Sequence, residues 1–320
     1  MKKVILFITF MLIIFSCSPE KVASETQNQS NDILVSYFAD NGTRQNEHFF
    51  EDNGSRYQKI LSPDGEIFTS YVYNSENKMT SILYVPGYSN QRTYTFFYND
   101  KGQVNRIKKE YFINNIATYS EWDITYENNI IKKVLKGSTT SNKRVTKYTL
   151  NNQGFVSIIH NYLENTTTST ITNTFDYSTL EYDDNKNIIS NKYSYNGTHD
   201  LPDSPDPKNL ESGIVKFEYD TNLNPIYPIF MNHYLNYILI NEYPFYLGGN
   251  DQDRLLGIGY NNLKKTLGYG LGIHSGASSI DNDYSNFYEY DSNKKPIRMG
   301  RVSLVDNKEY SYIKYTYRTK

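Results

Sequence analysis

The sequence predicts a mainly β protein, an antiparallel meander of repeated hairpins that forms one long twisted or curled sheet with a short, partly helical insert near the C-terminus. A motif of one aromatic residue, then Asn or Asp, a short turn and an aliphatic pair recurs along the chain. Tyr, a residue that favours strands, supplies 32 of 320 residues. The motif stops between about residues 228 and 283, where apolar residues take helical spacing.

The repeated unit is predicted to be a β-hairpin. Its copies begin at Tyr73-Asn74, Tyr98-Asn99, Tyr126-Glu127, Leu150-Asn151, Tyr182-Asp183, Tyr219-Asp220 and Tyr290-Asp291, with a weaker copy at Leu61 to Ile67. A single hairpin is marginally stable in water, so neighbouring units have to pair and bury one shared face. The hydroxyl of a Tyr on that face can stay in water, which predicts a half-buried sheet face.

The second copy shows the physics of the turn. Tyr94, Phe96 and Tyr98 alternate and therefore place three rings on one strand face. Asn99 suits the first position of a type I turn, and Gly102 can take the positive φ that closes it. In three later copies Asn stands one position before the position equivalent to Gly102. After Gly, Asn is the residue type that best tolerates a left-handed backbone. The three Asn residues are Asn185, Asn222 and Asn293.

The N-terminus predicts export and lipid anchoring. Residues 1–16 have two lysines followed by an apolar run too short for a convincing membrane span, as in a signal peptide. The end of this run, Ile14-Phe15-Ser16-Cys17, resembles a bacterial lipobox, which implies lipidation of Cys17. The alternative is an ordinary secretory signal with an incidental Cys. Since the chain has one Cys, an internal disulfide is excluded.

The rest of the chain is predicted to be a polar tether over residues 17–32 and a β-hairpin-repeat domain over residues 33–320, with the insert at about 228–283. A formal charge of −2 without a basic patch argues against a nucleic-acid partner. The predicted location is the bacterial cell envelope, as an outer membrane lipoprotein on its periplasmic or surface-exposed side.

Two segments depart from the hairpin pattern. The first is 196–212, where prolines and three Asp residues predict an exposed loop rather than a calcium site, because a terminal bidentate acid and a Gly pivot are missing. The second is the insert. A short helix is expected just after Pro228, a further helical turn or two over Leu255 to Leu267, and a glycine-rich loop from Gly268 onward.

The motif of Tyr with Asp or Asn, turn, Gly and aliphatic residue resembles the YD repeat of Rhs-type proteins. The whole chain, lipobox included, resembles uncharacterised surface lipoproteins of the Bacteroidetes type. In that group a run of hairpins precedes an Asn-Pro-led helical insert and a closing Tyr-Asp hairpin, here Asn224-Pro225 and Tyr290-Asp291. The resemblance implies a β-rich, membrane-anchored lipoprotein and supplies no catalytic residues.

The sequence offers few residues for chemistry. The five His residues are isolated, so no metal or other cofactor is expected, and no serine or cysteine nucleophile motif is present. No catalytic residue is therefore assigned. The glycine-rich segment around His274 could place that His on a ligand, or it could be a connector.

Aromatic residues beside Asn and Asp are also typical of glycan binding, where rings stack on sugar C–H faces. The candidate ligand-binding rings are Trp122, Tyr94, Tyr98, Tyr126 and Tyr148, unless these rings are cross-strand pairs that stabilise the sheet. The first functional hypothesis is a non-enzymatic envelope module that binds a protein or polysaccharide partner. The alternative is a glycan- or polymer-degrading hydrolase or lyase with its site under the insert, so enzymatic activity stays open and is the less favoured prediction.

Overall fold

A computed structural model gives the fold of this protein. It describes residues 31–39, 41–51, 56–84, 91–113, 116–137, 141–195, 211–240, 259–270, 284–304 and 307–319. The predicted signal peptide, Cys17, most of the tether, most of the 196–212 loop and His274 lie outside these ranges. The predictions made for them stay predictions.

The described chain consists of strands and one short helical pair. The strands are β1 Asn31–Ala39, β2 Arg44–Glu51, β3 Arg56–Leu61, β4 Ile67–Tyr73, β5 Met79–Tyr84, β6 Arg92–Tyr98, β7 Val104–Ile113, β8 Ile116–Glu127, β9 Ile130–Leu135, β10 Asn142–Leu150, β11 Val156–Asn165, β12 Ile171–Tyr182, β13 Ile188–Tyr195, β14 Glu211–Leu223, β15 Asn261–Gly270, β16 Tyr284–Tyr290, β17 Pro296–Ser303 and β18 Glu309–Thr319. The helices are α1 Tyr227–Asn232 and α2 Tyr234–Ile240, and together they form what we call the plug.

The strands form a closed barrel, so the predicted open sheet is wrong. Each strand pairs antiparallel with the next along the chain, and the last strand returns to the first. In that closing pair Val35 of β1 lies opposite Tyr315 of β18. Closure is favoured because an open meander would leave the backbone groups of β1 and β18 unpaired at two edges, whereas a barrel has no edges.

The plug lies inside the barrel. Four strands along the arc from β4 to β11 contact it: Tyr73 of β4 packs on His233, Tyr98 of β6 bonds Asn236, Lys133 of β9 bonds Leu239 and Val156 of β11 bonds Tyr234. A short helix on the outside could reach only a few adjacent strands. The face that buries Ile107, Tyr148 and Ile159 with Ile238 is therefore the inner face of the wall.

The predicted turn is confirmed where Gly or Asn occupies the position that takes a positive φ. The Asn99 side-chain oxygen accepts the backbone N–H groups of Lys101 and Gln103, both at 3.0 Å. Gly102 then takes φ of 74°. The expectation that Asn adopts the left-handed backbone in the three later copies is wrong. At two of these turns the next residue takes it, Lys186 with φ 70° and Lys294 with φ 61°, and at the third Asn222 has no positive φ. The side-chain bonds from Asp183 and Asp291 still close these turns.

In several repeats the opening Tyr fastens its hairpin to the one before it. The Tyr98 hydroxyl donates to the carbonyl of Met79 at 2.6 Å, and the Tyr126 hydroxyl donates to that of Val104 at 2.9 Å. Tyr182 and Tyr219 repeat the contact on Val156 and Ile188. These hydroxyls are bonded to backbone rather than left to water, and each satisfies a carbonyl just after a turn.

The described part of the insert contains less helix than predicted. A short helix beginning near Pro228 is confirmed by α1, and Tyr234 and Ile238 of α2 are buried. The helical turns predicted over Leu255 to Leu267 are wrong, because Asn261–Gly270 forms strand β15 and pairs with β14. Gly268 and Gly270 belong to that strand and not to a loop.

The meander gives the barrel two distinct ends. The turns after β4, β6, β8, β10 and β12 lie at one end, and the connection between β14 and β15, which carries the plug, also lies there. We call this the plug end and the opposite one the far end. Strand β1 starts at the plug end, because β1 and β2 meet in the turn after Ala39 at the far end.

Candidate functional site

The outer face of the barrel carries charged side chains. One continuous cross-strand row over five strands reads Glu47, Ser36, Lys314, Arg298 and Glu289. Arg298 forms an ion pair with Glu289 at 3.3 Å, and Ser36 donates to Glu47 at 3.3 Å. A lipid-facing wall needs an apolar band there, since a charge at the bilayer midplane costs several kcal/mol.

Ion pairs also lie on other strands of the outer wall. Lys136 contacts Glu121 at 2.7 Å, and Lys192 contacts Glu181 at 2.9 Å. Glu121 precedes the inward-facing Trp122 and so points outward. No helix within the described ranges is long and apolar enough to cross a membrane. The distribution of charge gives this barrel a polar outer face and an aromatic, apolar inner face around the plug.

A cleft of about 400 Å³ opens at the plug end between the plug and three hairpin turns. Its walls are residues 231–236 of the plug, Asn77 and Lys78, the segment from Gly102 to Val104 with Tyr98, and the segment from Gln153 to Phe155. The mouth of a β-barrel is a common place for a ligand site.

The cleft is positioned by a hydrogen-bond chain. The buried Asn236 donates to the Tyr98 hydroxyl at 2.9 Å, and that hydroxyl donates in turn to the Met79 carbonyl. Burial raises the pKa of Tyr98, so the hydroxyl keeps its proton at neutral pH and can serve as this donor. The opposite wall is fixed by Tyr234, whose hydroxyl accepts the backbone N–H of Val156 at 2.7 Å.

The polar groups of the cleft are chiefly amides and aromatic rings. Asn77, Gln103, Gln153, Asn232 and Asn236 supply amides. Rings come from Tyr98, Phe155 and Tyr234, with Phe155 and Tyr234 edge to face at 5.7 Å between centroids. Lys78, which is paired with Glu76 at 2.6 Å, and His233 complete the polar lining. Among the residues that the structure describes, the lining contains no Asp, Glu, Ser or Cys.

The plug is also tied to strands β9 and β10 of the wall. Lys133 donates to the carbonyl of Leu239 at 2.8 Å, and Tyr148 donates to that of Ile238 at 3.3 Å. Both carbonyls belong to the last turn of α2, where a helix leaves acceptors without internal partners and where a cation is favoured. These contacts fix the depth at which the plug sits.

The five ring residues proposed from sequence do not form one platform. Trp122, Tyr94 and Tyr148 are buried in the inner core, and Tyr126 is packed against it. Tyr98 alone of these five lines the cleft. The buried positions of Trp122, Tyr94 and Tyr148 and the packed position of Tyr126 favour a role in stabilising the sheet over a role in an exposed platform. We keep a ligand-binding role only for Tyr98.

Sequence reasoning missed the amides. Gln103 and Gln153 sit in the turns of two separate hairpins, and Asn236 sits far along the chain in the plug. The turn motif marks the hairpins, but it carries no signal for which turns meet the plug. Within the ranges described, three or more His, Cys, Asp or Glu side chains nowhere group so as to hold a metal.

Comparison with known proteins gives distant structural neighbours. A porin-like protein from Bacteroides vulgatus ATCC 8482 is 12% identical with a TM-score of 0.38, over 89% of this chain and 97% of that one. A porin-like protein from Bacteroides uniformis ATCC 8492 is 11% identical with a TM-score of 0.29, over 90% and 97%. The TcdB2-TccC3-Cdc42 complex is 11% identical with a TM-score of 0.20, over 85% and 16%.

No protein-family model and no curated protein matches the chain. The TM-scores do not establish a shared fold, and the closed barrel rests on this chain's own register between β1 and β18.

Proposed function

We propose that this chain is a non-enzymatic module of the bacterial envelope that binds a polysaccharide in the cleft at the plug end. The observation that carries the proposal is the lining of that cleft, which combines amide side chains with aromatic rings. Rings stack on the C–H faces of sugars, and amides can donate to and accept from hydroxyl groups. Tyr98, held by Asn236, offers a ring in a fixed orientation.

The lining supports binding rather than cleavage. A glycoside hydrolase works with two carboxyl groups on either side of the scissile bond. The cleft does lie beside the insert, as the hydrolase alternative required, but none of its described lining residues is a carboxylate. Within that described lining, His233 and Lys78 are the only side chains that commonly exchange protons near neutral pH or act as bases, and Lys78 is held by Glu76.

The outer face supports an anchored rather than a membrane-spanning barrel. The row from Glu47 to Glu289 would meet the hydrocarbon if the wall crossed a bilayer. In our proposal the barrel stands in water, and the lipid on Cys17 attaches it to the outer membrane. The plug occupies the interior at the plug end, so we do not propose a pore.

Binding of neutral oligosaccharides tests the proposal. The full chain would be titrated calorimetrically with cello-, xylo- and manno-oligosaccharides of six units. Gln103→Ala and Gln153→Ala each remove one amide from the cleft, and we expect each to weaken binding about fivefold, the value of one lost hydrogen bond. Gln58→Ala is the matched control, since Gln58 bonds Glu51 on the surface and does not line the cleft.

Failure of every oligosaccharide to bind at millimolar concentration would overturn the proposal. So would equal weakening by Gln58→Ala and by the cleft variants. Release of reducing ends from any of the probes would replace binding by hydrolysis as the function.

A further inference from the structure

The hairpin of β7 and β8 extends beyond strand β9 at the far end of the barrel. Strand β9 ends at Leu135, opposite Trp122 of β8, whereas β8 continues to pair with β7 as far as Ile116. Residues 116–120 of β8 therefore pair with β7 on one side. No described strand lies along their other side.

The backbone of this stretch presents hydrogen-bonding groups to the open side. In an antiparallel ladder the N–H and C=O groups of one residue point to the same side, and successive residues alternate between the two sides. The carbonyl of Glu121 accepts the backbone N–H of Lys136 at 2.8 Å and so points to the β9 side. By the same alternation, and without a register shift, Tyr119 and Ala117 also point to that side. The stretch is an open strand edge, which can pair with another strand.

Exposed apolar side chains cluster at the same place. Ile116 and Tyr119 are 69% and 68% exposed, the largest fractions among the large hydrophobic side chains that the structure describes. Phe112 of β7 is 49% exposed. Because Phe112 lies opposite Ala117, Phe112 and Tyr119 are diagonal neighbours on the outer face. Clustered exposed apolar side chains mark a protein contact.

The edge is complementary to itself. Residues 116–120 read Ile-Ala-Thr-Tyr-Ser and contain no charge and no proline. Two copies that pair antiparallel about Thr118 place Ala117 of each copy opposite Tyr119 of the other, and these are the residues whose backbone groups point to the open side. Each Tyr119 ring then lies over the small side chain of Ala117 in the other copy and reaches the Phe112 beside it. At the centre Thr118 faces Thr118, a favourable cross-strand pair.

We propose that this edge binds a second copy of the chain and forms a two-fold symmetric dimer, with one β-sheet continuous through both barrels. Natural edge strands generally carry a charged residue, a proline or a bulge that prevents such pairing, and residues 116–120 have none of these. The antiparallel arrangement places the two plug ends at opposite ends of the dimer. The contact uses no residue of the cleft, so the dimer stands independently of the proposed glycan binding.

Analytical ultracentrifugation of the full chain tests the dimer. A contact over one short edge belongs to the small, transient class of interface, so we expect a dissociation constant between about 1 μM and 1 mM. Ala117→Lys and Tyr119→Glu each put a charge into the apolar edge, and each should weaken the dimer about tenfold or more. Thr95→Glu is the matched control, since Thr95 faces outward on β6 and lies opposite Ser81 and Lys108 of the two neighbouring strands.

A mixture of the two variants tests the register. The new ammonium of Ala117→Lys lies opposite the new carboxylate of Tyr119→Glu, so an equimolar mixture should dimerise about as tightly as the parent. A parent that stays monomeric up to about 1 mM would overturn the proposal and leave the edge to a strand of another protein. A dimer that persists in both single variants, that weakens equally in Thr95→Glu, or that the mixture fails to restore would overturn it as well. Should Tyr119→Glu fail to fold, Ala117→Lys compared with Thr95→Glu decides the outcome.

Discussion

Asn236 of the plug donates its side-chain amide to the hydroxyl of Tyr98 in the wall, at 2.9 Å. That hydroxyl already donates to the Met79 carbonyl of the preceding hairpin. One phenol therefore fastens two hairpins together and holds the plug against them. Because Tyr98 also lines the cleft, the stability of the plug end and the shape of the proposed site depend on the same group.

Tyr98→Phe should lower the free energy of unfolding by about 1–3 kcal/mol. The change removes the hydroxyl and leaves both the Met79 carbonyl and the buried Asn236 amide without this partner. Urea unfolding followed by circular dichroism measures the loss. Tyr119→Phe is the control, since Tyr119 is 68% exposed on the outer face. A loss in the control as large as in the variant would contradict the role of the hydroxyl.

Gly102→Ala and Gly65→Ala should destabilise the protein by a similar amount, about 1 kcal/mol each, because both glycines have positive φ. They should differ in ligand binding. A Cβ on Gly102 would lie 2.9 Å from the Lys78 Nζ and displace that side chain within the cleft, whereas one on Gly65 meets no described atom within 4 Å. Weaker oligosaccharide binding is expected in Gly102→Ala alone. Equal binding by both variants would argue against a role for Lys78.

Asp176→Asn should change how stability depends on pH. Burial raises the pKa of Asp176 from 3.8 to about 6, so the folded protein holds a proton there that the unfolded chain has released. Stability from this group is present below about pH 4 and is lost as the pH rises to about 6. The variant should therefore gain stability relative to the parent over that window, as measured by urea unfolding at several pH values.

His160 acts in the opposite sense over an overlapping window. Burial, helped by the charge of Lys147, lowers its pKa from 6.5 to about 4, so the unfolded chain binds the extra proton and stability rises with pH. The two effects partly cancel in the parent. The difference between parent and Asp176→Asn isolates the carboxyl group, and His160→Gln should shift the profile the other way. A difference curve without slope between about pH 4 and 6 would refute the shift at Asp176.

Cys17→Ser should release the protein from the membrane fraction. Without acylation the charged outer face gives the barrel no means of insertion, so we expect the variant in the aqueous phase after detergent phase separation. Mass spectrometry of the parent should find a lipid on Cys17 at a new N-terminus. A Cys17→Ser variant that stays in the membrane would show that the barrel itself inserts.

The hairpins were predictable because their signals are local. Asn99 and Gly102 lie three residues apart, and the sequence alone indicates the turn that they make. Closure was not predictable, since it depends on pairing Val35 with Tyr315 at opposite ends of the chain. Closure also decides which face of each strand is inside. For that reason the sequence suggested Trp122 as a possible exposed ring, although the barrel buries it.

The cleft was only partly predictable. Tyr98 was one of the five candidate rings, and the hydrolase alternative placed its site under the insert. The contact between Asn236 and that tyrosine joins residues 138 positions apart, and nothing in either local pattern indicates it.

Strand β1 enters the barrel at the plug end, so a lipid on Cys17 would attach the molecule at that end. The cleft would then lie on the side of the barrel that is nearer the bilayer. Glycans rooted in the same membrane would be the first polymers to meet it.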